Sequence, residues 1–108
     1  MPKLKPNPTL KDFQEYVREL ERERGFSGED ALQKCLLLGE EVGELFKAVR
    51  KQEKIKIDTS SKFGEIGEEL ADLIIYVCAI ANRYKIDLEG AFRLKEGINK
   101  KRIWEKGS

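Results

Sequence analysis

Two short acidic motifs carry the side chains of this sequence that are best suited to chemistry. The first is Glu40-Glu41-Val42-Gly43-Glu44, and the second places Glu69 and Asp72 three residues apart. Residues at this spacing lie on the same side of a helix, so each motif presents a pair of carboxylates. Four carboxylates brought together would repel one another, and a hard divalent cation relieves that repulsion. Because these donors are all oxygens, the expected ion is Mg²⁺, with Mn²⁺ as a substitute, rather than Zn²⁺.

A simpler alternative remains open at this point. The same glutamates could be solvated surface residues that pair with Lys47, Arg50 or Lys62, as acidic side chains on helix surfaces often do. The chain would then be a non-enzymatic helical interaction module with an acidic face. The overall charge does not decide between the two, since 21 Lys and Arg balance 20 Asp and Glu to give +1. This balance predicts no binding to nucleic acid or to an anionic membrane.

The composition excludes several other classes of function. The chain contains no His, which excludes Ser-His-Asp and Cys-His nucleophiles, His-containing zinc sites and di-iron bundles built on Glu-x-x-His motifs. Cys35 and Cys78 lie far apart in apolar stretches and are predicted to be buried free thiols. No apolar run approaches the roughly 18 residues of a membrane span, and the N-terminus lacks the apolar segment of a secretion signal. We expect a cytoplasmic protein.

The spacing of apolar residues predicts an all-α fold. All three prolines fall within the first eight residues, so nothing later in the chain forces a helix to break. Four helices are predicted, with these limits: Thr9 to Gly25, Ser27 to about Lys51, Phe63 to about Tyr84, and Asp87 to about Ile103. We predict one domain over residues 1–108, with 1–8 as an extended tail, folded as a four-helix bundle. Such a short bundle leaves apolar faces uncovered, which predicts a homo-oligomer formed through helix faces.

Helical periodicity also predicts which faces are buried. The stripe predicted for the second helix is Ala31, Cys35, Leu38, Val42, Leu45 and Val49, and that for the third is Phe63, Ile66, Leu70, Leu73, Ile74, Val77 and Ile80. The acidic motifs and Tyr76 then flank these stripes. On the fourth helix, the stripe of Leu88, Ala91 and Phe92 continues into Lys95, Asn99 and Arg102. These three suit a polyanionic ligand, or else they mark a helix end that frays into solvent.

The two acidic motifs, together with Lys95-x-x-x-Asn99-x-x-Arg102, resemble those of the MazG-like all-alpha nucleotide pyrophosphohydrolases. The resemblance covers about residues 9 to 104, and the same motifs are also similar to those of dCTP pyrophosphatases. It implies hydrolysis of a (deoxy)nucleoside triphosphate to monophosphate and pyrophosphate, as nucleotide-pool house-cleaning, by a dimer or tetramer. The roles that it implies are Mg²⁺ ligation by Glu41, Glu44, Glu69 and Asp72, proton acceptance or support of the ligands by Glu40, nucleotide binding by Tyr76 and Asn99, and phosphate contacts by Lys95 and Arg102. Glu40, Glu41 and Glu44 would thus be the catalytic carboxylates of the first motif.

Overall fold

A computed structural model describes residues 1–55 and 64–104, and within these ranges the chain forms four α-helices and no strand. The helices are α1 (Leu10–Arg24), α2 (Ala31–Gln52), α3 (Ile66–Arg83) and α4 (Leu88–Asn99). The all-α prediction is confirmed. Phe63 of the predicted third stripe falls outside the described residues. None of the described helices is long and apolar enough to span a bilayer.

Local capping signals set the helix starts. Thr9 and Asp12 form a reciprocal capping box at the start of α1, and Asp87 accepts a hydrogen bond from the Gly90 N–H at the start of α4, both as predicted. Gly25 ends α1 in the left-handed conformation, at φ 77°. The predicted start of α2 at Ser27 is wrong. Asp30 caps that helix instead, in a capping box with Gln33.

The core lies where α1 crosses α3, and α2 also packs against α3. Val17, Cys78 and Ala79 are its most buried members, with Phe13 and Ile75 packed around them. Burial at this crossing is the apolar driving force for the fold. The prediction that Cys78 is buried is correct.

The fourth helix is held through the turn that precedes it. The Gln14 side chain of α1 donates to the Ile86 carbonyl at 2.8 Å and accepts from the Leu88 N–H at 3.0 Å. Asn82 completes this link by donating to the Gln14 carbonyl at 2.9 Å. Beyond Leu88 the helix is largely exposed, so the predicted inward stripe is wrong at Ala91 and Phe92. The helix also ends at Asn99, short of Ile103.

The predicted apolar stripes of α2 and α3 are only partly buried. Cys35 and Val49 of α2 are exposed, and so are Leu70, Ile74 and Val77 of α3. The residues buried on α2 are Lys34 and Ala48, and those on α3 include Glu69. The helices therefore meet along a face that contains charges, and leave much of their apolar surface uncovered within one chain.

Candidate metal centre

Packing of α2 against α3 brings one carboxylate of the first acidic motif to the two of the second. Ligand oxygens of Glu41, Glu69 and Asp72 all lie within 4.8 Å of one another. Glu69 is 8% exposed, and the other two are half-buried. The sequence motifs thus predict the helices and spacing correctly for these three residues, while the burial of Glu69 depends on the packing of the helices.

The Glu41 carboxyl is the electrostatic centre of this cluster. Its pKa is raised from 4.5 to about 7 by burial, by a hydrogen bond with Glu69, and by the nearby charges of Asp72, Glu69 and Glu44. Its Oε2 atom is buried and has no hydrogen-bond partner among the described residues. A buried polar atom without a partner is costly, so this oxygen is suited to a ligand that the chain itself does not supply.

Glu44 and Glu40 are not members of this cluster of three carboxylates. Glu44 is half-buried and pairs with Lys47, with Oε1 and Nζ 3.6 Å apart. That ion pair is the one anticipated by the surface-residue alternative, but Glu44 also lies close enough for its charge to raise the pKa of Glu41. Glu40 is exposed on α2. The alternative therefore describes the present contact of Glu44, whereas Glu41 is partly buried and hydrogen-bonded to another carboxyl group, that of Glu69.

Tyr76 lies one helical turn beyond Asp72, and both residues line a small pocket. Burial raises the pKa of the Tyr76 phenol, and the charges of Glu41, Asp72 and Glu40 among others add to this. The pocket holds about 110 Å³ and includes Asp72, Tyr76 and Phe26 in its lining. It offers an aromatic wall next to the carboxylates.

A second group of largely buried charges, of which Glu21 and Lys34 line this pocket, has no counterpart in the sequence-based predictions. Lys34, 4% exposed, lies 3.5 Å from Glu21 Oε2 and 3.1 Å from Glu29 Oε1. Arg83 donates to both oxygens of Glu21, at 2.9 and 2.6 Å. The Lys34 ammonium also lies over the rings of Phe26, at 5.0 Å, and of Tyr76, at 5.8 Å.

The pKa of Glu21, an acid of this second group, shifts in the opposite sense to that of Glu41. Burial alone would raise the pKa of Glu21, but the hydrogen bonds and charges of Arg83 and Lys34 hold it below its usual value. A signal for this group does exist in the sequence. Lys34 precedes Glu41 by seven residues and Ala48 by fourteen, so all three share one face of α2.

The predicted residues of α4 are not brought to the carboxylates within the chain. Lys95 and Arg102 are exposed, and Asn99 is half-buried and donates to Glu96 at 3.1 Å. Arg102 lies beyond the end of the helix. Since α4 packs chiefly against α1, these side chains and the carboxylate cluster belong to different helix pairs.

The three clustered carboxylates fit a hard divalent cation. They supply only oxygen donors, they are mutually repulsive, and one of their oxygens is buried with no hydrogen-bond partner in the part of the chain that the structure describes. Mg²⁺ and Mn²⁺ bind such donors and neutralise their charge, with Glu44 next to the cluster as a further candidate ligand.

Comparisons with known proteins agree with this geometry. A family model for the MazG nucleotide pyrophosphohydrolase domain matches residues 29–103. Two crystal structures of iMazG from Vibrio DAT 722, carrying a C-terminal and an N-terminal tag, are 31% identical to this chain with a TM-score of 0.62. Both matches cover 85% of this chain, and they cover 98% and 94% of the iMazG chains respectively. A search of curated proteins gave no match. The chain belongs to the MazG nucleotide pyrophosphohydrolase family and is a nucleoside triphosphate pyrophosphohydrolase.

Proposed function

We propose that this enzyme hydrolyses (deoxy)nucleoside triphosphates to monophosphate and pyrophosphate with Mg²⁺ held by Glu41, Glu69 and Asp72. The observation that carries the proposal is the convergence of these three carboxylates within 4.8 Å, together with the buried Oε2 of Glu41, which has no hydrogen-bond partner within residues 1–55 and 64–104. Glu44 completes the ligand set once it releases Lys47. Mn²⁺ substitutes for Mg²⁺, because the donors are the same hard oxygens.

The bound metal supplies a water of lowered pKa and neutralises charge on the phosphates. The remaining work is done by side chains. A carboxylate must accept the proton of the attacking water because the chain has no His, and Glu40, exposed and adjacent to the ligand Glu41, is our candidate. Lys95 and Arg102 contact the phosphates and stabilise the charge that develops on the leaving pyrophosphate.

The nucleoside part of the substrate is assigned to Tyr76 and Asn99. The aromatic wall next to Asp72 is close enough to the carboxylates for a nucleotide to contact both. Lys95 and Asn99 lie on α4 and Arg102 lies just beyond its end. Lys95 and Arg102 are exposed and free to approach a ligand, and Asn99 would have to exchange its present bond to Glu96. Removal of unwanted nucleotides from the pool remains the proposed biological role.

We also propose that the protein is a homo-oligomer, a dimer or a tetramer. The exposed apolar side chains include Leu36 and Phe46 on α2, Ile74 on α3, and Phe92 on α4. The radius of gyration is 17.0 Å, whereas a compact domain of this length has about 13 Å. An open chain with uncovered apolar faces gains stability when a second copy covers them. Light scattering after size exclusion should give twice or four times the chain mass, and a monomeric mass would contradict this.

The reaction is tested by incubating the protein with Mg²⁺ and nucleoside triphosphates in ¹⁸O-labelled water, followed by phosphorus NMR and mass spectrometry. We expect monophosphate and pyrophosphate, with one labelled oxygen in one of the two products. Glu41→Gln should be inactive, and Glu89→Gln should be active as a matched control because Glu89 is an exposed residue of α4 paired with Arg93. Release of diphosphate and orthophosphate would contradict the proposed reaction.

A further inference from the structure

Gly64 lies immediately before the start of α3, at a position with a defined structural role in other helices. Glu65 is the N-cap of α3, and it makes no capping hydrogen bond through its side chain. Gly64 is thus the residue before the cap, and Glu69 is the fourth residue of the helix. In many helices these two positions carry apolar side chains that pack together as a hydrophobic staple. Here a glycine and a carboxylate occupy them.

The Glu69 carboxylate lies where a side chain of residue 64 would be. A Cβ added to Gly64 would overlap Oε1 of Glu69 and would lie 3.0 Å from its Cδ and 3.5 Å from its Cγ. Glu69 is buried in this position, with its N–H bonded to the Glu65 carbonyl at 3.1 Å. The carboxylate therefore lies over the backbone of residue 64 and depends on the missing side chain.

Backbone conformation does not explain the glycine. The one described glycine with a positive φ is Gly25, so residue 64 does not adopt the left-handed conformation that favours glycine. Gly67, three residues later in the first turn of α3, has nothing within 4 Å of an added Cβ. At Gly64 the Glu69 carboxylate occupies the space of an added side chain, and at Gly67 that space is open.

We infer that Gly64 is a positioning residue of the metal centre: its lack of a side chain leaves the space that directs the Glu69 carboxylate toward Glu41 and Asp72. This inference depends on the metal site of the proposed function. A methyl group at residue 64 must displace the end of the Glu69 side chain, because that end is more easily moved than the backbone. The displaced carboxylate no longer lies within reach of the other two.

The test compares Gly64→Ala with Gly67→Ala, which adds the same methyl group in open space. Mn²⁺ binding is measured by the loss of the free-ion electron paramagnetic resonance signal. Stability without metal is measured by urea unfolding in the presence of EDTA. We expect Gly64→Ala to weaken Mn²⁺ binding at least about tenfold, the size of effect that loss of a well-placed ligand contact produces. Gly67→Ala should bind Mn²⁺ as the wild type does, and both variants should unfold cooperatively without metal.

A double-variant cycle shows whether residue 64 acts through Glu69. In a Glu69→Gln background, Gly64→Ala should leave the residual Mn²⁺ affinity unchanged, because the ligand that it displaces is already lost. Equal Mn²⁺ affinity of Gly64→Ala and the wild type would overturn the inference, as would an unfolded metal-free Gly64→Ala or the same loss of affinity in both backgrounds. Failure of the wild type to bind Mn²⁺ is a different result, because it would remove the proposed metal site itself.

Discussion

Two groups of largely buried charge lie near the Tyr76 ring, and they differ in whether their charges are balanced. In the first, which we call the ion-pair group, Glu21, Glu29, Lys34 and Arg83 pair acid with base at distances of 2.6 to 3.5 Å. In the second, the acidic cluster of Glu41, Glu69 and Asp72, the members within 4.8 Å are all acids. The balanced group holds α1, α2 and α3 together, while the unbalanced one is left to bind a cation.

The pKa shifts record the same difference. The bases of the ion-pair group keep the pKa of Glu21 below its usual value in spite of burial, whereas burial and like charges raise that of Glu41 to about 7. A buried charge with a partner contributes to a specific structure, and one without a partner stores repulsion that a ligand can relieve. Removal of charge should therefore have opposite effects on stability in the two groups.

The largest effect is expected on activity, in the acidic cluster. Asp72→Asn or Glu69→Gln should lower kcat/KM by a hundredfold or more, on the order of what loss of a transition-state contact costs. Stability without metal should stay equal or rise, because one of the repelling charges is gone. Turnover of a nucleoside triphosphate and urea unfolding in EDTA measure the two quantities. Near wild-type activity in either variant at saturating Mg²⁺ would refute the assignment.

The ion-pair group should respond in the other direction. Arg83→Met leaves Glu21 with Lys34 alone and removes donors from the Glu29 and Phe26 carbonyls, so we expect a loss of about 3 kcal/mol in the free energy of unfolding.

The matched control for that variant is Arg93→Met, which breaks the exposed pair with Glu89 and should cost under about 0.5 kcal/mol. Urea unfolding measures both changes. Equal losses in the two variants would mean that the buried group contributes no more than a surface pair.

The pH dependence of stability without metal should reveal Glu41. Its pKa is about 7 in the folded chain and near 4.5 unfolded, so the folded state binds the extra proton between these values. Stability should therefore fall as pH rises from about 4.5 to 7, by on the order of 2 kcal/mol. Glu41→Gln should lose this component and be the more stable protein above pH 7. Urea unfolding in EDTA across this range checks the sign, and an unchanged slope in the variant would contradict it.

The smallest effect is expected at the edge of the acidic cluster. Lys47→Met removes the partner of Glu44, and a half-exposed pair of this kind contributes under about 1 kcal/mol to stability. If Glu44 is a metal ligand, freeing it should strengthen Mg²⁺ binding slightly, about twofold. Calorimetric titration with Mg²⁺ measures this, and weaker binding would indicate that Lys47 has a positive role in the site.

Much of the fold and the centre of the site could be predicted from the sequence, because the relevant signals are local. The caps at Thr9 and Asp87 depend on residues three positions apart, and the acidic motifs depend on helical spacing. The local signal for the start of α2 was weaker. Ser27 and Asp30 are both good cap residues, and the Phe26–Glu29 turn, closed by a 3.0 Å hydrogen bond, moved the start of α2 to the later one.

The errors in predicting which residues are buried have a common cause. Periodicity identifies an apolar stripe but cannot say whether another helix of the same chain covers it. Cys35 and Ile74 lie on predicted core stripes and are exposed, while Lys34 and Glu69 are buried. In the proposed oligomer, a second copy would cover the apolar faces that a single chain leaves exposed.

The sequence by itself determined the helices, the absence of His chemistry and the two pairs of acids at helical spacing, because these follow from residue type and from contacts within one or two turns. Only the tertiary structure decided which acids meet. The packing of α2 on α3 placed Glu41 with Glu69 and Asp72, left Glu44 with Lys47, and buried Lys34 among partners from α1 and α3. Those outcomes depend on the rotation of one helix against another, which is set by contacts between residues far apart in the chain.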